Sequence, residues 1–185
     1  MRKLLPFIFC LICYGSFAQQ KPTDLDKSPL DMSYSPQNYP ILKMNGKTTE
    51  QPASRVIYSR PQKSGRTLFG GIISYNQVWR LGANESTEIE FFRNVKINNK
   101  PVPKGRYSLY AICNPEKWTL ILNNDKDIWG LAYNQKKDVL RVEENVQNAG
   151  TQNEFFTMYF EDKKGGTNLN ILWDSVKVVM PISFQ

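Results

Sequence analysis

The densest group of side chains able to do chemistry lies in residues 78–87. Trp79 offers a flat aromatic face that suits a sugar ring or a cation. Arg80, Asn84 and Glu85 offer directional hydrogen bonds to a polar ligand. A structural alternative stays open, in which Trp79 lies in the core and an Arg80–Glu85 ion pair holds a loop together.

A basic segment at residues 60–66 is the second candidate, because Pro61 and Gly65 indicate a turn-forming loop. Arg60 and Arg66 present planar donor forks that match a carboxylate or a phosphate. A solvated loop without a ligand is the alternative interpretation. We expect the ligand to be a glycan, another small polar or anionic molecule, or a component of the cell envelope. The predicted ligand-binding residues are Arg60, Arg66, Trp79, Arg80, Asn84 and Glu85.

The chain has 185 residues and no histidine, which excludes several classes of active site. Neither a Ser-His-Asp or Cys-His nucleophile system nor a histidine-liganded metal centre is possible. Glycoside hydrolysis needs only two carboxylates, and Glu85, Glu88 and Glu90 are the nearest candidates for such a pair. Glu88 and Glu90 also fall on the polar face of a predicted strand, where plain surface charges explain them.

The sequence predicts no metal ion, no cofactor and no nucleic-acid partner. Residues 123–130 place oxygen side chains at alternate positions, but an EF-hand needs glycine and glutamate where Ile128 and Asn134 stand. A hairpin turn rich in Asn and Asp explains this segment better. Residues 69–71 lack the fuller glycine signature of a nucleotide site. The formal net charge of +7 is scattered, with no Lys/Arg run that would indicate nucleic-acid binding.

The elements that must position these residues are predicted to be β-strands, because apolar side chains recur with period two. Roughly eight short strands separated by turn residues predict a single all-β domain, a β-sandwich or jelly roll, with a closed barrel as the alternative. The alternating apolar sets are Ile89/Phe91/Val95/Ile97, Tyr107/Leu109/Ala111, Trp118/Leu120/Leu122, Phe156/Met158/Phe160, Leu169/Ile171/Trp173 and Val176/Val178/Met180/Ile182.

The alternation along the strands, together with the neighbouring residues, also predicts whether individual tryptophans and the cysteine of the domain are buried or exposed. Trp118 and Trp173 share the apolar face of their strands and are predicted to point inward. Trp129 stands among turn residues and is the more plausible exposed ring for a carbohydrate. Cys113 closes an apolar run and is predicted to be a small buried hydrophobe, with a reactive thiol as the alternative.

The N-terminal part of the chain predicts export. Residues 1–18 combine a basic start, a short apolar run and small residues before Ala18, which is typical of a secretory signal cleaved after that residue. The run is too short to span a bilayer, and no later segment is long and apolar enough. Residues 19–52 are rich in proline and predict an extended arm without helix and with little paired strand. The β-sandwich domain is expected over residues 53–185.

Several stretches together resemble an exported bacterial family catalogued as domain of unknown function 2911. The resemblance covers roughly residues 52–182, and it implies a signal peptide and a compact exported domain but no reaction. Leu81 stands where many relatives are expected to have threonine, which removes one possible polar contact. The stretches are Arg60–Gly71, Val78–Glu85, Val102–Leu109, Trp118–Asn123 and Trp129–Gly130.

The sequence therefore favours a non-enzymatic, extracytoplasmic binding or envelope-associated module. Two alternatives from other classes stay open. One is a glycoside hydrolase that uses paired carboxylates. The other is a protein-interaction or structural domain, in which the arm at residues 19–52 docks a partner protein.

Overall fold

The computed structural model describes residues 26–185. The predicted signal sequence, its cleavage site after Ala18 and the first residues of the arm lie outside the described residues. Within the described range, no helix has the length and apolar character needed to cross a membrane.

The described chain consists almost entirely of β-strands. One short helix, α1 (Tyr39–Met44), and one 3-10 turn (Gln135–Lys137) interrupt them. In chain order the strands are β1 (Leu30–Ser35), β2 (Ser54–Ser59), β3 (Val78–Trp79), β4 (Thr87–Phe91), β5 (Val95–Ile97), β6 (Lys100–Val102), β7 (Gly105–Cys113), β8 (Lys117–Asn123), β9 (Asp138–Asn145), β10 (Gln147–Lys163) and β11 (Gly166–Phe184).

The strands form two antiparallel sheets rather than one closed sheet. The first has the order β1-β2-β4-β7-β8-β9, with β3 pairing alongside β7 beyond the end of β4. The second has the order β10-β11-β5-β6 and is built around the long β10–β11 hairpin. The predicted all-β, sandwich-like fold is confirmed.

The core lies between the two sheets, and the period-two pattern identifies much of it. On β7 and β8 the predicted inward set is buried, and on β11 Leu169, Ile171 and Trp173 are buried in the same cluster. Trp118 therefore points inward, as predicted. Cys113 is a free, fully buried thiol, and its burial raises the pKa of that thiol, as expected of an inert apolar filler.

The outer face of the first sheet is covered by residues 124–137. Tyr110 and Ile121 stand opposite each other on this face and are fully buried, although their parity is the opposite of the core set. The ring of Tyr133 packs against Tyr110 with centroids 5.0 Å apart. The amide of Asn123 donates to the carbonyl of Asn134 at 2.9 Å. Trp129 belongs to this segment, so the contacts of the segment with the sheet also help to fix the position of Trp129.

The prediction that the arm contains no helix and little paired strand is wrong. β1 pairs with β2 along its whole length, because Pro29 and Pro36 flank the strand and leave its own N–H groups free to bond. Helix α1 accommodates Pro40 in its first turn, where the missing N–H has no partner within a helix.

β1 also connects the two sheets through side-chain hydrogen bonds to β10. The hydroxyl of Ser35 donates to Asp162 Oδ1 at 2.7 Å, and the backbone N–H of Phe160 donates to Ser33 Oγ at 3.2 Å. Just past the strand, Gln37 Nε2 donates to the carbonyl of Phe160 at 2.6 Å. The strand is therefore a structural part of the sandwich.

Candidate functional site

Trp79 lies inside the core and is only 8% exposed. Its ring stacks on Trp173 with centroids 5.9 Å apart and meets the edges of Trp118 and Phe156. Its indole N–H donates to the carbonyl of Gly82 at 3.1 Å. The structure therefore matches the structural alternative for this residue, in which Trp79 supports the loop that follows it.

The loop after Trp79 is held by buried hydrogen bonds. Ser59 Oγ accepts from the N–H of Ala83 at 2.6 Å and donates to its carbonyl at 2.7 Å. Thr87 Oγ1 donates to the carbonyl of Leu81 at 2.5 Å, and Leu81 itself is fully buried. Gly82 has a φ of +152°, and a Cβ there would lie 2.6 Å from Ser59 Oγ. Only glycine fits this close approach.

The segment around Trp129 is bonded to the same loop. The N–H of Gly130 donates to the carbonyl of Asn84 at 3.0 Å, and the N–H of Ser86 donates to the carbonyl of Ile128 at 3.2 Å. These bonds fix the backbone on both sides of Trp129. The two most distinctive stretches of the sequence, around Trp79 and at Trp129–Gly130, therefore form one structural unit.

Arg80 packs its aliphatic stem directly against Gly130. A Cβ at position 130 would lie 2.0 Å from Arg80 Cδ and 2.7 Å from Arg80 Cβ, so glycine is required for the contact. Arg80 Nε is buried and has no hydrogen-bond partner, and no side-chain acceptor from residues 26–185 reaches the guanidinium. Burial lowers the pKa of this guanidinium below its ordinary value.

Arg80 differs in this respect from every other arginine in the described range. Each of the others has a carboxylate or a carbonyl oxygen within bonding distance. The pairs are Arg55–Glu90, Arg60–Asp31, Arg93–Glu50, Arg106–Glu88, Arg106–Asp127 and Arg141–Asp138, and Arg66 donates to backbone carbonyls. The predicted Arg80–Glu85 ion pair is not among the ion pairs of residues 26–185.

A cavity of about 220 Å³ opens beside Arg80. Arg80 is the single charged side chain that lines it within the described chain, while Ser74 and Gln77 add polar groups. Three exposed apolar side chains, Ile72, Val78 and Leu131, stand around it. Sequence reasoning missed these lining residues, because they lie in irregular or very short segments where no periodicity indicates their direction.

Arg60 and Arg66 are bound to the protein itself and lie away from this cavity. Arg60 bridges Asp31 Oδ2 at 3.1 Å and Thr157 Oγ1 at 3.1 Å, which joins β1 and β10. Arg66 donates from Nε to the carbonyl of Lys63 at 3.0 Å within its own loop. Neither arginine lines the cavity beside Arg80 or bonds Arg80, Asn84 or Glu85 within the described residues.

Glu85 and Trp129 line a second concavity, of about 410 Å³. Trp129 is 54% exposed, so its predicted exposure is confirmed. Glu85 is exposed, and Asn84 Nδ2 donates to Asp26 Oδ2 at 2.5 Å beside it. Aliphatic side chains from β1 and β2, Leu30 and Ile57, complete the wall.

Two of the three glutamates considered for a hydrolytic pair already form ion pairs with arginines. Glu88 pairs with Arg106 at 3.3 Å and accepts from the N–H of Asp127 at 3.0 Å. Glu90 pairs with Arg55 at 2.6 Å. Of the three glutamates considered, only Glu85 has no ion-pair partner within residues 26–185.

β8 and β9 form an antiparallel pair, but residues 124–137 connect them by a long irregular segment, so the tight hairpin turn predicted at residues 123–130 is not formed. Asn123 Oδ1 accepts from the N–H of Asp125 at 2.8 Å, and Asn123 Nδ2 donates to Asp138 Oδ1 at 2.7 Å. These side-chain bonds use the oxygen-bearing residues to stabilise the backbone. In the described range, no group of three side chains of the metal-ligating types lies close enough together to hold an ion.

Comparison with known proteins supports the family resemblance. The family model described as "Protein of unknown function (DUF2911)" matches residues 42–182, which include every stretch on which the resemblance was based. No curated protein and no solved structure matches the chain significantly.

Proposed function

The chain belongs to the family described as "Protein of unknown function (DUF2911)", and we propose that it is an exported, non-enzymatic module that binds a small anionic ligand at Arg80. The observation that carries the proposal is the Arg80 guanidinium, which no acceptor in residues 26–185 reaches, beside an open cavity. Export is proposed from the signal-like residues 1–18.

A partly buried guanidinium without an anion is energetically unfavourable. Its burial removes part of the water that would otherwise solvate the charge, a loss of several kcal/mol for a fully desolvated ion. The other arginines of the described chain recover this loss through protein oxygens, and Arg80 does not. A ligand carboxylate or phosphate would recover it through short, charge-assisted hydrogen bonds.

The surroundings of Arg80 suit binding in a second way, because they are rigid. Its backbone lies between buried Trp79 and buried Leu81, and its stem rests on Gly130. A donor already held in place loses little conformational entropy when the ligand arrives. Ser74 and Gln77 supply further polar groups at the same cavity.

Arg80→Gln is the direct test, with Arg66→Gln as the matched control. Calorimetric titration of the purified protein with acetate, phosphate and galacturonate is expected to detect binding of at least one anion. Loss of a charge-assisted hydrogen bond should weaken that binding by about 10- to 100-fold in Arg80→Gln. Arg66→Gln should bind as the unmodified protein does, because Arg66 bonds only its own loop.

Circular dichroism of both variants establishes that they are folded. Unchanged affinity in a folded Arg80→Gln variant would contradict the proposal. So would the absence of binding to every anion of the panel.

A second candidate function is the binding of a neutral saccharide to Trp129. The ring is 54% exposed on a backbone fixed by hydrogen bonds from both neighbours. Exposed rings of this kind stack on the apolar face of a pyranose. Glu85, which has no ion-pair partner in the described chain, lies in the same concavity and can accept from sugar hydroxyls.

Calorimetric titration with neutral oligosaccharides distinguishes this candidate from the first. The saccharide affinity is expected to fall about tenfold in Trp129→Ala and to stay unchanged in Arg80→Gln. A saccharide that binds equally well to Trp129→Ala would exclude the stacking site.

A further inference from the structure

We infer that the ligand of the Arg80 cavity is a monocarboxylate whose neighbouring atoms are aliphatic, held by its carboxyl end. This inference rests on the proposed function and specifies its ligand class. Charge, donor geometry, cavity size and the apolar rim each support it.

The charge of the cavity matches a monoanion. Arg80 supplies one positive charge, and the other lining residues of the described chain carry none. A phosphate monoester carries a charge of about −1.5 to −2 at pH 7 and would be only partly neutralised here. A carboxylate carries a single negative charge that Arg80 balances.

The geometry of Arg80 also favours a planar acceptor. Its Nε atom is covered by protein, whereas the two Nη atoms are not fully buried and bond no oxygen of residues 26–185. The Nη pair forms a planar fork that matches the two oxygens of a carboxylate. Ser74 and Gln77 can donate to the outer lone pairs of the same oxygens.

The cavity is small, with about 220 Å³ of space. Sites that enclose a whole ligand usually measure about 300–1,000 Å³. At about 30 Å³ for each water molecule in the liquid, the Arg80 cavity has room for roughly seven waters. It therefore fits the end group of a molecule, and the rest of the ligand extends over the rim.

The rim beside this end group is apolar. Ile72 and Val78 are 52% and 37% exposed on one side, and Leu131 is 75% exposed on the other. Exposed aliphatic side chains that gather around a polar floor indicate a binding surface more often than isolated ones do. An aliphatic chain next to the carboxylate would cover them and remove this surface from water.

The test is a titration series of acetate, butyrate, hexanoate and inorganic phosphate, followed by calorimetry. We expect affinity to rise by up to about fourfold for each methylene group that contacts the rim, and phosphate to bind more weakly than hexanoate. Leu131→Ser should reduce the gain in affinity between acetate and hexanoate, because it removes an apolar side chain from the rim. Leu30→Ser is the matched control, because Leu30 is exposed in the other concavity.

The outcomes separate this inference from the proposed function. If phosphate binds most tightly, or if affinity is independent of chain length, the aliphatic ligand class is excluded while an anion site at Arg80 stands. If hexanoate binds equally well to Arg80→Gln, the carboxylate is not held at Arg80. If no anion binds, both the inference and the proposed function fail.

Discussion

Replacing Trp79 with alanine is expected to lower the free energy of unfolding by about 3–5 kcal/mol, because it removes a buried ring and leaves a cavity. The ring contacts Trp118, Phe156 and Trp173. Its loss also leaves the carbonyl of Gly82 without the indole donor. Urea denaturation followed by circular dichroism measures the change.

Trp129→Ala is the matched control for this prediction. The same side chain is removed, but Trp129 is 54% exposed, and its backbone bonds do not involve the ring. We expect a cost within about 1 kcal/mol. Equal destabilisation by the two substitutions would contradict the placement of Trp79 in the core and Trp129 at the surface.

Replacing Gly130 with alanine is expected to cost about 1–3 kcal/mol through overpacking and to disturb anion binding at Arg80 as well. The new methyl group would lie 2.0 Å from Arg80 Cδ, so the arginine stem must move. Because that stem positions the guanidinium at the cavity, affinity for the anion should fall with stability. The same denaturation and calorimetric measurements apply.

A double-mutant cycle with Arg80→Ala isolates the steric cause. Truncating Arg80 removes Cδ and Cγ from the new methyl group and leaves only Arg80 Cβ, 2.7 Å away, so Gly130→Ala should cost about 1 kcal/mol less in that background. Additive costs at positions 80 and 130 would show that the contact is not the cause.

The sandwich could be predicted from local pattern because its core strands are long enough to show alternation. On β8, Trp118, Leu120 and Leu122 share one face, and that face is the core face. The direction of Trp79 could not be decided in the same way, because β3 has two residues. Two residues contain no repeat, so the burial of Trp79 depends on distant partners such as Trp173.

The arm and the site were difficult to predict for the same reason, since both depend on long-range pairing. β1 is a strand because it pairs with β2, and its Leu30 and Met32 are more than half exposed. The sequence alone does not distinguish an arginine that pairs with a distant carboxylate from one that does not. Only the folded chain shows that Arg60 reaches Asp31 whereas Arg80 reaches no acceptor in the described residues.

The match to the family model begins within α1, so β1 precedes the matched region. The bonds that hold β1 are nevertheless specific and charged. Asp31 accepts from Arg60, and Ser35 donates to Asp162. β1 thus lies outside the matched region but is bound by polar side chains that lie inside it.

The hydrogen bonds between β1 and β10 impose an order on folding. Ser35 and Asp162 are separated by 127 positions, and synthesis produces the N-terminal partner first. These bonds therefore cannot form until the chain has been synthesised as far as Asp162, because closing the loop requires both partners. During most of its synthesis, the chain therefore has a β1 without its bonds to β10. In that state β1 is more accessible to proteases and chaperones.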